Sequence, residues 1–159
     1  MGQVVLVQHV QSGHHVNEMS GGWTDTPLTD FGRRQEQRIK DILDGHEYTL
    51  VSSDLLRACQ TAEIIGDRLG LPVTQNAGLR EINPGEATGR TKDWVRTHRS
   101  PRTDSAYDID HREFPTAQTW RQFHRRVRAC MEALGASNES KNLLVVTHGE
   151  PSPRSPRGG

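Results

Sequence analysis

Two histidines and one arginine in the sequence have the positions that phosphoryl transfer to a side chain requires. His9 and His148 each follow a short apolar run, and Arg57 lies in the first turns of a helix predicted after Ser52-Ser53. A neutral imidazole can attack phosphorus when an acceptor holds its other ring nitrogen. Cationic donors and helix N-termini neutralise the charge on the phosphoryl oxygens. We therefore predict that His9 is the nucleophile.

A carboxylic acid must then protonate the leaving oxygen of the substrate. Glu81, on a loop after the third predicted strand and before Gly85, is the best-placed residue for this role. Glu86 is the second choice. Taken singly, a histidine at a strand end is more often structural than catalytic. Arg57 alone also fits an ordinary helix-surface arginine, and Glu81 an ordinary loop carboxylate.

Alternating strands and helices must bring these residues together. Apolar runs predict strands near 3–8, 48–52, 72–75 and 143–147, and the first and last are predicted to be buried on both faces. Helices are predicted over about 30–44, from a Ser52 or Ser53 cap to Gly70, over 92–97, and over 116–134 with Gly135 closing it.

Parallel pairing with right-handed crossovers puts the carboxyl ends of all strands at one edge of the sheet. His9, residues 52–57 and His148 should therefore converge there. The predicted fold class is a doubly wound, three-layer α/β sandwich with a mostly parallel central sheet. The arginines of the last predicted helix are expected on a solvated face: Arg121, Arg125, Arg126 and Arg128.

Length and composition limit the remaining possibilities. The 159 residues predict one domain over 1–149, with a covering segment at about 82–116 and a proline-rich, disordered tail over 150–159. Acidic and basic residues balance at 20 each, which argues against nucleic acid or an anionic membrane as a partner. The sequence has no apolar run of membrane-spanning length and no signal peptide, so we expect a cytoplasmic location.

Neither a disulfide nor a metal site is predicted. Cys59 and Cys130 are far apart in the sequence and lie in helical patterns, which favours reduced thiols. His9, His14 and His15 lack a carboxylate or cysteine at ligand spacing. We therefore expect no cofactor.

Five segments resemble, in the correct order, the histidine phosphatase superfamily of phosphoglycerate-mutase-like proteins over about residues 3–149. They are Leu6-Val7-Gln8-His9, residues 22–29 (GWTDTPLT), residues 52–62 (SSDLLRACQTA), Leu79-Arg80-Glu81-Ile82 before Gly85, and Thr147-His148-Gly149. The resemblance implies a phosphoglycerate-mutase-like fold and a histidine acid phosphatase-like enzyme that acts on a small phosphorylated substrate.

The resemblance also implies roles for individual residues. His9 would be phosphorylated, Arg57 and His148 would bind the phosphoryl group, and Glu81 would donate the proton. The predicted phosphate- and substrate-binding set is completed by Gln8, Ser12, His15, Gly21 and Gly22.

The chain departs from the family pattern in its first motif. Gln8 replaces an arginine, so a hydrogen-bonding amide stands where a charge is expected. Val10 replaces a glycine and would be strained if that turn required a positive φ. His15 replaces a common asparagine, and its imidazole can also donate to a phosphate oxygen. After Gly149 the family continues into a helix and a strand, whereas prolines follow here, as expected of a truncated or frame-shifted product.

These observations predict a phosphomonoester hydrolase with a phosphohistidine intermediate and reduced activity. One alternative is a non-catalytic phosphate-binding or interaction protein of the same fold. A second alternative is a phosphotransferase of the phosphoglycerate mutase type, which the short covering segment disfavours. The identity of the substrate and the existence of a homodimer stay open.

Overall fold

The central sheet is fully parallel in the parts of the chain that the structure, a computed structural model, describes: residues 2–35, 43, 47–101, 108–138 and 141–149. Its strands are β1 (Val4–Gln8), β2 (Tyr48–Ser52), β3 (Val73–Gln75) and β4 (Asn142–Thr147), in the spatial order β1-β4-β2-β3. Gln8 pairs with Thr147, and Ser52 pairs with Val146. The residues that follow these strands therefore meet at one edge.

The described helices are α1 (Gly13–Val16), α2 (Asp30–Gln35), α3 (Leu56–Leu69), α4 (Lys92–His98) and α5 (Trp120–Ser137). Two short 3-10 turns, Ala77–Leu79 and Gly85–Ala87, flank the loop that carries Glu81. Among the described residues, no helix is long and apolar enough to cross a membrane.

Helices cover both faces of the sheet. On one face α3 packs against Leu50, Leu144 and Val146, in a cluster that includes Ala62 and Ile65. On the other face, apolar side chains of α5 pack against a cluster of Val51, Leu79, Leu143 and Val145. The predicted three-layer α/β fold with a parallel sheet is confirmed.

The first strand is less buried than its sequence predicts. Leu143 to Val146 of β4 are buried, as expected for a central strand. In β1, Val5 and Val7 pack against the α3 cluster, but Val4 is 50% exposed and Leu6 is 64% exposed. The prediction that β1 is buried on both faces is wrong, because β1 lies at the end of the described strand order and α5 packs on the strands beside it.

The start of α3 differs from the predicted serine cap. The N-cap residue is Leu55, and no side chain of its own caps the helix. Instead, Oδ1 of Asp25 accepts a hydrogen bond of 2.7 Å from the backbone N–H of Leu56. The predicted cap by Ser52 or Ser53 is therefore wrong, and Ser53 is available to the site.

The ends of the helices follow the sequence in part. Gly70 ends α3 in the left-handed region with φ of +68°, as predicted. Gly135 does not close α5, which continues to Ser137 and begins after Thr119. Of the helix predicted over 30–44, the structure describes residues 30–35 as α2, and most of the rest lies outside the described residues. The predicted disordered tail 150–159 also lies outside them.

Candidate active site

A cavity of about 450 Å³ lies at the carboxyl edge of the sheet. Its polar wall comes from the loops after β1, β4 and β3 and from the start of α3, and it consists of Gln8, His9, His14, His15, Gly21, Gly22, Arg57, Glu81 and Gly149. The covering segment supplies a more apolar wall, with Ile82, Pro84, Ala87, Val95 and Phe114, and the charged residues Lys92, Arg99 and Glu113. The sheet thus brings His9, Arg57 and Glu81 to one cavity.

His9 is held in one tautomer. Its Nδ1 lies 2.8 Å from the carbonyl oxygen of Val10, an acceptor only, so Nδ1 carries the proton. Its Nε2 accepts a hydrogen bond of 3.0 Å from Nε of Arg57, so the lone pair is on Nε2. His9 is only 7% exposed. This geometry presents an oriented, unprotonated nitrogen beside a cation.

Arg57 is a buried cation whose recorded hydrogen-bond acceptors are all uncharged. It is 1% exposed and donates to His9, to the carbonyl oxygen of Thr24 at 3.0 Å and to that of Gly22 at 2.7 Å. Among the described residues, three of its five N–H donors have these acceptors. A buried cation with donors to spare can bind an anion in the cavity.

Ser12 positions two further imidazoles at the start of α1. Its backbone N–H donates to Nδ1 of His15 at 3.1 Å, and its hydroxyl lies 2.9 Å from Nδ1 of His14. His15 therefore carries its proton on Nε2, and its ring stacks on His9 with centroids 5.6 Å apart. Ser12 itself is fully buried and does not line the cavity. It therefore supports the two histidines rather than facing the space where a phosphate would bind.

His148 lies beside His9, with ring centroids 5.1 Å apart. Its Nε2 lies 2.8 Å from the hydroxyl of Ser53, the residue that the sequence assigned to a helix cap. Its Nδ1 is buried and has no hydrogen-bond partner within the described part of the chain. His148 itself is not among the residues that line the cavity.

Glu81 reaches the cavity from the loop after β3. Its Oε1 accepts a hydrogen bond of 3.1 Å from the backbone N–H of Ile82. Its carbonyl oxygen accepts from the indole N–H of Trp23 at 2.8 Å, so Trp23 anchors this loop. Glu86, the second choice from sequence, is exposed and does not line the cavity.

The glycines and the variant first motif fit closely around the cavity. Gly22 has φ of +57°, and a Cβ there would lie 2.6 Å from Cδ of Pro84. A Cβ on Gly149 would collide with the amide of Gln8. Among the described non-glycine residues only Glu18 has a positive φ. The turn at Val10 therefore does not require a positive φ, and the backbone strain that such a φ would cause is not present there.

Burial keeps the imidazoles neutral. Desolvation, and then the charge of Arg57, lowers the pKa of His9 to about 4 and that of His148 to about 2. Desolvation and the neighbouring His15 lower the pKa of His14 to about 3. The pKa of His15 is lowered mainly by desolvation. At neutral pH these rings act as neutral donors and acceptors.

The structure also bears on metal binding. Within the described ranges, no group of three or more histidine, cysteine, aspartate or glutamate side chains is placed to hold a metal ion. Cys59 and Cys130, in α3 and α5, are both free thiols.

The buried imidazoles predict a loss of stability on mild acidification. The pKa values of about 4 for His9 and about 3 for His14 lie below the ordinary value of 6.5. Below that pH the unfolded chain binds more protons than the folded chain, so the free energy of unfolding falls as the pH falls. Each imidazole contributes a fall of roughly 1 kcal/mol per pH unit in this window.

Urea unfolding at several pH values between about 7 and 5 measures this slope. A His14→Asn variant should have a shallower slope than the unmodified chain. A His124→Asn variant, altered at an exposed position of α5, should keep the original slope. A free energy of unfolding that stayed constant across this range would contradict the prediction.

Comparison with known proteins agrees with the fold. Residues 4–152 match the model of the histidine phosphatase superfamily (branch 1). A Proteus mirabilis protein described as a probable phosphoglycerate mutase, GpmB, is 31% identical over 149 residues, which cover 92% of this chain and 69% of the relative.

Solved structures of phosphatases have the same fold. A mycobacterial glucosyl-3-phosphoglycerate phosphatase in complex with VO3 is 26% identical, with a TM-score of 0.77 over 94% of this chain and 77% of the other. An alpha-ribazole phosphatase from Shigella flexneri is 26% identical, with a TM-score of 0.75 over 91% of this chain and 73% of the other. The chain belongs to the histidine phosphatase superfamily, as its five sequence segments predicted.

Proposed function

We propose that this chain hydrolyses small phosphomonoesters through a phosphohistidine on His9. The observation that carries the proposal is the state of the His9 ring. The Val10 carbonyl holds Nδ1–H, so the Nε2 lone pair faces Arg57 in the same cavity as Glu81. The phosphatases among its structural relatives support the reaction class.

In the first half-reaction, Nε2 of His9 forms a bond to phosphorus and the bond from phosphorus to the ester oxygen breaks. Glu81, in its protonated form, gives its proton to that oxygen, and the alcohol leaves. The Nε–H of Arg57, which donates to Nε2 of His9 before the reaction, donates to a phosphoryl oxygen instead as the attack begins. Phosphorylated His9 and the Glu81 carboxylate remain.

In the second half-reaction, water attacks the phosphorus of the phosphohistidine. The Glu81 carboxylate takes one proton from the water, and the electron pair of the P–N bond returns to Nε2 of His9. Inorganic phosphate leaves, and both residues regain their starting states.

The phosphoryl group would be bound by one cation and several neutral donors. Arg57 supplies the charge, while His15 offers Nε2–H and Gln8 offers its amide. His148 offers Nδ1–H when Ser53 donates its hydroxyl proton to Nε2. Hydrogen bonds from charged donors are about twice as strong as neutral ones, so this set binds phosphate less tightly than one with arginine at position 8. We therefore propose that the activity is reduced.

A Gln8→Arg substitution should raise kcat/KM by about one to two orders of magnitude, because a charged donor contributes roughly 1.5 to 3 kcal/mol. The measurement is steady-state hydrolysis of p-nitrophenyl phosphate. A Gln3→Arg variant adds the same charge at an exposed position near β1 and should leave kcat/KM unchanged. Unchanged activity in Gln8→Arg, together with no phosphohistidine, would favour the non-catalytic alternative.

The proposal as a whole is tested by release of inorganic phosphate from an aryl phosphate in the presence of EDTA. We expect turnover to persist, because the proposed charge stabilisation comes from protein side chains. An acid-labile phosphoprotein should accumulate when the reaction is quenched rapidly. Loss of activity with EDTA would contradict this mechanism, and transfer of the phosphoryl group to an added phosphoglycerate in preference to water would favour the mutase alternative.

A further inference from the structure

Arg126 of α5 differs from the solvated arginine that the helical pattern predicts. Its side chain is partly buried between α5 and the loop after β3. Resting on the proposed role of Glu81 as general acid, we propose that Arg126 is a positioning residue for that carboxyl group. Its guanidinium holds the backbone of the Glu81 loop, without itself touching the substrate.

The hydrogen bonds of Arg126 converge on peptide groups of this loop and of the 3-10 turn before it. Nη1 donates to the carbonyl oxygens of Gly78 and Arg80, each at 2.9 Å. Nη2 donates to the carbonyl oxygen of Glu81 at 3.0 Å and to Oε1 of Gln118 at 3.1 Å. One planar side chain therefore fixes three carbonyl groups, including that of the proposed acid.

The loop needs such donors because its backbone lies outside the sheet. The described strand β3 ends at Gln75, and no strand includes Glu81. Buried carbonyl groups outside regular structure must find other donors. Leu79 accepts from the hydroxyl of Thr147 at 3.1 Å, and Glu81 accepts a second bond from Trp23. Side chains from three separate parts of the chain thus hold this loop.

Arginine is suited to this position in a way that lysine is not. Its fork presents several N–H donors at fixed angles, whereas an ammonium group is a compact point charge. The guanidinium also lies over the ring of Phe123 on the same helix, 5.3 Å from its centroid. The ring and the carbonyl groups together set the orientation of the fork.

This arrangement should affect protonation of the leaving group more than phosphate binding. Displacement of a catalytic group by about 1 Å can lower the rate about 100-fold. A nitrophenolate leaves without much help from an acid, whereas an alkoxide must be protonated as it leaves. Loss of Arg126 should therefore be more harmful with an alkyl phosphate than with p-nitrophenyl phosphate.

The experiment compares both substrates in the full chain and in Arg126→Met, which removes the donors and keeps an apolar stem. We expect kcat/KM, which reports only the steps up to release of the alcohol, to fall about 10- to 100-fold for the alkyl phosphate and less than about threefold for p-nitrophenyl phosphate. Arg126→Lys should recover part of the loss. Arg125→Met, at an exposed neighbouring position, should have no effect on either substrate.

A Glu81→Gln variant separates failure of this inference from failure of the proposed function. Glu81→Gln should show the same dependence on the leaving group, and adding Arg126→Met to it should cause little further loss. If Glu81→Gln lacks that dependence, the general-acid role itself fails. If Glu81→Gln has that dependence but Arg126→Met lowers kcat/KM equally for both substrates, Arg126 is merely structural and the inference is overturned.

Discussion

Substitution of His9 by alanine should lower phosphatase turnover by at least about 10³-fold and abolish the acid-labile phosphoprotein. The neighbouring imidazoles cannot replace it. His15 has its Nδ1 engaged by the backbone of Ser12, so its accessible nitrogen carries a proton. His148 has its Nε2 beside Ser53. Among the described imidazoles, His9 is the one whose ring nitrogen accepts a hydrogen bond from Arg57.

The measurement is hydrolysis of p-nitrophenyl phosphate in the His9→Ala variant, with a parallel test for phosphohistidine after a rapid quench. His124→Ala, altered at an exposed histidine of α5, serves as the matched control and should retain full activity. If the His9→Ala variant retained turnover, another nucleophile or direct attack by water would be responsible, and the proposed mechanism would be wrong.

The convergence of the site residues could be predicted because it follows from topology. Parallel strands with right-handed crossovers place His9 and His148 at one edge whatever the details of packing. The register of β1 against β4 pairs the residues just before them, Gln8 and Thr147. No knowledge of side-chain contacts was needed for that step.

The exposure of β1 could not be predicted from its own sequence. An apolar run is compatible with a central or an edge strand, because periodicity does not report the spatial order of strands. The exposed Val4 and Leu6 follow from the position of α5 over other strands. That position depends on tertiary packing and on the route of the covering segment.

The polar contacts behind the site were also hidden from sequence. A serine before a helix is typical of an N-cap, yet Ser53 contacts His148 while Asp25 accepts from the start of α3. An arginine on an amphipathic helix is typical of a solvated face, yet Arg126 binds backbone carbonyl groups. In both cases the partner is distant in the sequence, so no local pattern could reveal it.

Arg57 should be the second most sensitive residue of the site. Its guanidinium is the cation that hydrogen-bonds to the proposed nucleophile, and among the described residues two of its donors remain for a phosphoryl group. Each charge-assisted bond contributes roughly 1.5 to 3 kcal/mol, so Arg57→Met should lower kcat/KM by about 10² to 10⁴-fold. Arg57→Lys should be intermediate, because it keeps the charge and loses the fork.

A nuclear magnetic resonance titration of His9 tests the same residue without relying on activity. The charge of Arg57 is the second cause, after burial, that lowers the pKa of His9 to about 4. In Arg57→Met the pKa of His9 should therefore rise toward its ordinary value, and in Arg57→Lys it should rise less. Since a cation beside an imidazole always favours the neutral ring, an unchanged pKa in Arg57→Met would mean that Arg57 does not lie against His9 in solution. The Nε2 lone pair of His9, on which the proposed attack depends, would then have no cation beside it to bind the phosphoryl oxygens.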